Sequence, residues 1–135
     1  MASRARVRVR YAETDQMGVA YYANYLVWME VARVEFCRSA GFNYREMEET
    51  EGIVLAVIEA TCRYIHPARF DDEVEIETTV AAANSRMVHF AYEMRRVLDD
   101  RSLARGETRH LFLHRATTTP ARLPARYRPM FGLLP

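Results

Sequence analysis

The chain has 135 residues, half of them hydrophobic, and a formal net charge of +1. That is enough apolar material for one compact core, and too little excess charge for a general nucleic-acid or membrane-surface binder. All 19 basic residues are arginine, which excludes Schiff-base and phosphate-loop lysine chemistry and leaves anion contacts to guanidinium and backbone N–H groups.

Arg4, Arg6, Arg8 and Arg10 alternate with Ala5, Val7, Val9 and Tyr11. This period of two predicts a half-buried strand ending near Tyr11, with the arginines on a solvated face. A turn-like AETDQMG segment follows, and ANYLVWMEVARVEFCRSAG then predicts a helix, with Tyr25, Trp28, Met29, Ala32, Phe36 and Ala40 on one face. Asn24 is its candidate cap and Gly41 its stop. Because Leu26, Val27, Val31, Val34 and Cys37 fill the remaining face between Glu30, Arg33, Glu35 and Arg38, the helix is apolar nearly all round and is expected to be largely enclosed. A short polar helix around YREMEETEG precedes four strands, IVLAVIEATCRYI, EVEIETTV, MVHFAYEMRRVL and TRHLFLHR. The breaks between them fall at residues 67–72 and at Asp99-Asp100. The stretch from about 120 to 135 is rich in Pro and Arg and is expected to be irregular. With no linker, repeat or low-complexity segment, residues 1–135 read as a single domain. Its β-α-β-β-β-β order predicts an α+β fold, an antiparallel sheet curled around one long central helix.

Cys37 and Cys62 are too few for a disulfide framework, and the basic start of the chain is not followed by an apolar run of signal-peptide or membrane-span length. The expectation is a cytoplasmic protein with no membrane span. Asp15, alone before the helix, could cap, turn the chain or do chemistry, and spacing by itself does not choose. His110 and His114 are four apart in a strand-like run, so they read as a packed or solvated face rather than a metal pair. No G-x-S-x-G elbow for a serine nucleophile is present.

VRVRYAETDQMGVAYYANYLVWMEVARVEF resembles the opening of the hot-dog-fold acyl-CoA thioesterases of the 4-hydroxybenzoyl-CoA thioesterase type, and TDQMGV is the specific part of the likeness. RYIHPARFDDEVEIETTV, SRMVHFAYEMRR and GETRHLFLHRATTTPARLP resemble later segments of the same family, so the likeness runs from about Val7 to Pro124. The resemblance implies hydrolysis of an acyl-CoA thioester to a free acid and CoA, with Asp15 as the catalytic carboxylate. It makes the Tyr22 backbone N–H, at the helix entry, the donor to the forming oxyanion, in keeping with the field of a helix N-terminus. Whether Asp15 attacks as nucleophile or activates a water stays open. Many relatives carry His where this chain has Tyr22; the backbone role is independent of that change. Gly18, Val19, Tyr21, Tyr25 and Trp28 are the expected acyl-side contacts. Arg63, Ser85 and Arg86 are the candidates for binding CoA, the arginines through its phosphates. Hot-dog dehydratases pair a helix carboxylate with a loop His; Glu30 and Glu35 lie in the helix here, but the loop has no His.

The expected substrate is a small-molecule acyl-CoA. No metal or other cofactor is expected, CoA being part of the substrate. A homodimer or homotetramer is expected, because a sheet around one helix leaves an edge strand and an apolar helix side uncovered. The alternatives are a non-catalytic acyl-CoA or acyl-carrier-protein binding module and an Arg-rich nucleic-acid binder.

Overall fold

The computed structural model describes residues 2–41 and 43–134. Its strands are β1 (Ala2–Arg8), β2 (Ile53–Tyr64), β3 (Glu73–Ala83), β4 (Met87–Arg96) and β5 (Arg101–His114). They form one sheet in the order β1-β3-β4-β5-β2, with every neighbouring pair antiparallel. The long helix α1 (Asn24–Ser39) lies against one face of it. This is the antiparallel α+β sheet around one helix expected from the element order, and the hot-dog fold that the resemblance implies.

Strict alternation supplies the core. Val88, Phe90, Tyr92 and Met94 of β4, with Thr108, His110 and Phe112 of β5, are buried beneath Tyr25, Trp28, Met29, Ala32 and Phe36 of α1. Register shifts at Val57/Glu59, Val80/Ala82 and Met94/Arg95 mark irregularities that bend three of the strands around the helix. Gly106 lies under the helix, where a Cβ atom would stand 1.9 Å from Met29 Cε and 3.0 Å from the Thr61 carbonyl oxygen. A side chain there would displace the end of Met29 and press on the Thr61 carbonyl.

The opposite face of the sheet is a ladder of charge. Arg4, Arg6 and Arg8 stand in register with Glu77, Glu75 and Glu73, and the pairs close at 3.2, 3.2 and 3.7 Å. Arg105 meets Glu93 at 3.3 Å and Arg109 meets Glu59 at 3.2 Å. Each exposed pair adds little stability. Together they commit the β1 arginines to carboxylates of the same sheet, which weighs against the nucleic-acid reading.

The structure corrects several expectations. Helix α1 is not enclosed within the chain: Val27 is 50% exposed and Val31 44%, because one sheet covers one side and no second layer covers the other. Asn24 is not a cap; the N-cap is Ala23, with no side-chain bond, and Asn24 Nδ2–H donates to the Glu13 carbonyl at 2.8 Å. The β1 ladder stops at Arg8, and the chain enters a 3-10 turn at Tyr11–Glu13. Strand β5 starts at Arg101 rather than Thr108, since pairing with β4 and β2 on both sides extends a stretch with little apolar pattern of its own. The stretch expected to be irregular holds a 3-10 turn, Ala125–Phe131, and buries Ala121, Leu123, Tyr127 and Phe131. The polar helix forms as α2 (Tyr44–Glu46), capped by the Asn43 side chain and running into a π turn, Met47–Glu51. Among the described residues no helix is long and apolar enough to cross a membrane.

Candidate active site

Asp15 sits in a tight loop. Its backbone N–H donates to the Val19 carbonyl and its own carbonyl accepts from Gly18 N–H, both at 2.9 Å. Gly18 has φ +79° there, the left-handed region that favours glycine. The Asp15 Oδ1 atom accepts the Met17 N–H at 2.9 Å, an Asx turn. Oδ2 has no partner among the described residues.

The chain then approaches α1 through peptides whose donors are used unequally. Ala20 N–H donates to Ala68 O and Tyr21 N–H to Glu13 O, both at 2.8 Å, while Asn24 N–H donates to Tyr21 O at 2.9 Å. Tyr22 N–H has no hydrogen-bond partner among the described residues. It lies one residue before the N-cap Ala23, near the positive end of the helix dipole. The Tyr21 carbonyl belongs to the same peptide unit, so the bond it accepts from Asn24 strengthens Tyr22 N–H as a donor. Tyr64 OH donates to the Tyr22 carbonyl at 2.9 Å. Burial, then the neighbouring Cys62, pushes the Tyr64 pKa up to about 12, so this hydroxyl keeps its proton.

Asp15 and Tyr22 line one cleft of about 280 Å³, walled by Val19, Tyr25, Tyr64 and His66. The Tyr25 ring meets Tyr64 edge-on at 5.0 Å, and its hydroxyl accepts Ala68 N–H at 3.1 Å. His66 Nδ1 lies 3.0 Å from the Ser102 carbonyl, which puts its proton there, and Nε2 accepts from Arg101 at 3.1 Å.

Of the residues singled out in the sequence, Asp15, Val19, Tyr22 and Tyr25 thus come together. Gly18 shapes the loop without lining the cleft, and Tyr21 packs on Tyr22 with ring centroids 4.5 Å apart. Trp28 is buried in the core, where its indole N–H donates to Glu13 Oε2 at 3.1 Å. Arg63 pairs in register with Arg105, on the charged face of the sheet turned away from α1. Ser85 and Arg86 sit in the β3–β4 turn, at the opposite end of β3 from the Asp15 loop, and do not line the cleft. Glu30 is exposed and Glu35 pairs with Arg38, so neither helix carboxylate faces the cleft.

Sequence reasoning missed Tyr64, His66 and Glu13. The first two belong to RYIHPA, whose aromatic and imidazole groups were read only as strand and turn. Burial pushes the Glu13 carboxyl pKa up, but hydrogen bonds from Arg10 N–H, the Trp28 indole and the Arg10 guanidinium outweigh it and leave a net downward shift.

Residues 9–131 match the thioesterase-like superfamily over nearly the whole chain. The chain belongs to that family. Among solved structures, this superfamily member is similar to the hypothetical protein TT1821 from Thermus thermophilus, at 38% identity and a TM-score of 0.90, covering 100% of this chain and 98% of that one. It is also similar to the DHNA-CoA thioesterase from Staphylococcus aureus, at 31% identity and a TM-score of 0.89, covering 97% and 86%. The acyl-CoA thioester hydrolase YbgC of Escherichia coli O157:H7 is 36% identical over 84 residues, 62% of each chain. The match spans 66% of the length of a curated relative from Bacillus subtilis.

Proposed function

We propose that this chain is a thioester hydrolase acting on acyl-CoA, releasing a free acid and CoA. One observation carries the reading: Asp15 Oδ2 and the Tyr22 N–H, both without a partner among the described residues, belong to residues that line the same cleft. A thioester carbonyl seated between them meets both requirements of acyl transfer. Asp15 either adds to the carbonyl carbon or takes a proton from the water that does, and negative charge moves onto the carbonyl oxygen. Tyr22 N–H and the helix N-terminus stabilise that oxyanion as it forms. Collapse breaks the C–S bond and expels CoA thiolate; on the nucleophilic route water then cleaves the acyl-Asp15 anhydride. The names of relatives support the substrate class, since the E. coli protein is called an acyl-CoA thioester hydrolase and the Staphylococcus structure a DHNA-CoA thioesterase. No cofactor is required by this chemistry.

The apolar wall of Val19, Tyr22 and Tyr25 receives the acyl group. Arg63, Ser85 and Arg86 lie away from the cleft of their own chain, so a role for them with CoA requires a second copy to carry them to it. The exposed Val27 and Val31 of α1 and the open edge of β2 give that copy somewhere to dock, and a homodimer or homotetramer follows. Two unpaired thiols, Cys37 and Cys62, suit the cytoplasm. The deciding measurement is free-thiol release across short, long and aromatic acyl-CoAs. Affinity without thiol release would make the chain a binding module. A stable monomer in sedimentation at micromolar concentration would remove the second copy.

A further inference from the structure

Glu13 is a buried carboxylate that ends the 3-10 turn Tyr11–Glu13 and closes a capping box on the Arg10 N–H. It is 6% exposed, two residues before Asp15, and all three of its oxygens are in use. Oε1 accepts Arg10 N–H at 2.8 Å and Oε2 accepts the Trp28 indole N–H at 3.1 Å. The Arg10 guanidinium lies 3.4 Å from Oε1. The Glu13 carbonyl oxygen accepts two further bonds at 2.8 Å, from Tyr21 N–H and from Asn24 Nδ2–H. Three segments meet at this one residue: the exit of β1, the turn that carries Tyr22, and the first turns of α1. Burying a carboxylate is costly even when it is well paired. An apolar side chain in its place would leave Arg10 N–H and the buried Trp28 indole N–H unpaired, so the acid anchors this junction.

We propose that Glu13 is a positioning residue for thioester hydrolysis, holding the Tyr22 N–H in register with the Asp15 carboxylate. The inference rests on the hydrolase reading above. Its carboxylate fixes the place of its own carbonyl, and that carbonyl does two things. It consumes the Tyr21 N–H, so the next donor along the chain, Tyr22, is the one presented to the cleft. It also holds the Asn24 side chain, whose backbone N–H polarises the peptide that carries Tyr22 N–H. A misplacement of about 1 Å at a reacting centre can cost on the order of a hundredfold in rate. Two anchors on one buried side chain, a peptide N–H and an indole N–H, resist such a shift.

Trp28 is the single tryptophan of the chain, so its indole N–H resonance reports on this contact alone. Glu13→Gln keeps the size of the side chain, but its amide must turn an N–H toward one of the two donors, Arg10 N–H or Trp28 Nε1–H. The expected result is a moved indole resonance, kcat lower by about tenfold and KM within about twofold of the unaltered protein. Trp28→Phe removes the other partner and lowers kcat to a similar degree. The double variant falls no further than the worse single one, because both act through one contact. Glu13→Asp, which keeps the charge and shortens the reach, recovers part of kcat and serves if the Gln variant does not fold. A moved indole resonance with unchanged kcat, a loss confined to KM, or losses that multiply in the double variant would each overturn the proposal. Unaltered protein that releases no thiol from any acyl-CoA refutes the hydrolase reading instead, and does so before any variant is made.

Discussion

The two ends of α1 are built on opposite principles. At its C-terminal end Phe36 stacks on Phe131 at 6.4 Å and meets Phe90 edge-on at 5.5 Å, with Phe112 against Phe131 at 6.1 Å. Apolar surface is filled there, and Gly41, at φ +102°, ends the helix by ordinary stop chemistry. At its N-terminal end the N-cap makes no side-chain bond, a peptide donor has no partner among the described residues, and tyrosines wall a cleft instead of closing it. The difference teaches where binding energy has been left unspent: an unsatisfied donor is a defect in a core and a working part beside a carboxylate.

If that contrast holds, damage at one end should appear as lost stability and at the other as lost turnover. Phe131→Ala opens the aromatic cluster and should cost about 3–5 kcal/mol in chemical denaturation, with thiol release per folded molecule unchanged. Asp15→Asn should do the reverse. Asn keeps the acceptor for Met17 N–H, so the fold should lose less than ~1 kcal/mol, while thiol release falls by ~100-fold or more and acyl-CoA affinity persists. Early melting with intact turnover would make Asp15 structural and erase the contrast.

The packed interior should also carry a titration of its own. His110 is fully buried, 5.5 Å from the Phe90 ring and 2.8 Å from Thr108 Oγ1. Burial, then the charge of Arg33, pushes its pKa down to about 4. A base with a depressed folded pKa gives stability that is present above the unfolded value near 6.5 and is lost as pH falls toward 4. The unfolding free energy from urea titration should therefore drop across that window, by on the order of 3 kcal/mol, and the drop should vanish in His110→Gln. The smallest effect tests the cleft. Tyr64→Phe removes the hydroxyl that donates to the Tyr22 carbonyl and leaves the ring against Tyr25. Turnover should fall by about threefold to tenfold, with stability changed by ~1 kcal/mol or less.

What could be read in the sequence was local. The alternation of EVEIETTV and MVHFAYEMRR gave two strands within a few residues, and the spacing of Tyr25, Trp28, Met29, Ala32 and Phe36 gave the buried face of α1. Asp15 was legible through TDQMGV, which contains it, and the Tyr22 peptide through the same resemblance, three residues beyond Val19. The misplaced residues depend on the order of strands in the sheet. Arg63 and Arg105 become neighbours only because β2 pairs with β5, and nothing local to either shows which face they share. Trp28 fits a cleft and a core equally by its apolar spacing; its indole N–H found a buried acid. Leu123, Tyr127 and Phe131 recur every four residues, an apolar stripe that the surrounding Pro and Arg residues concealed.

The sheet order has a consequence for how the molecule comes into being. Arg4 closes on Glu77 across 73 positions of sequence, so β1 leaves the ribosome long before its partner strand exists. Helix α1 follows with its apolar face made and nothing yet to lie on. The third ring of the Phe36–Phe90 cluster does not arrive until residue 131 has been added. So late a closure means slow, sheet-limited folding, with the helix that later frames the cleft as the surface most in need of a chaperone in the interval.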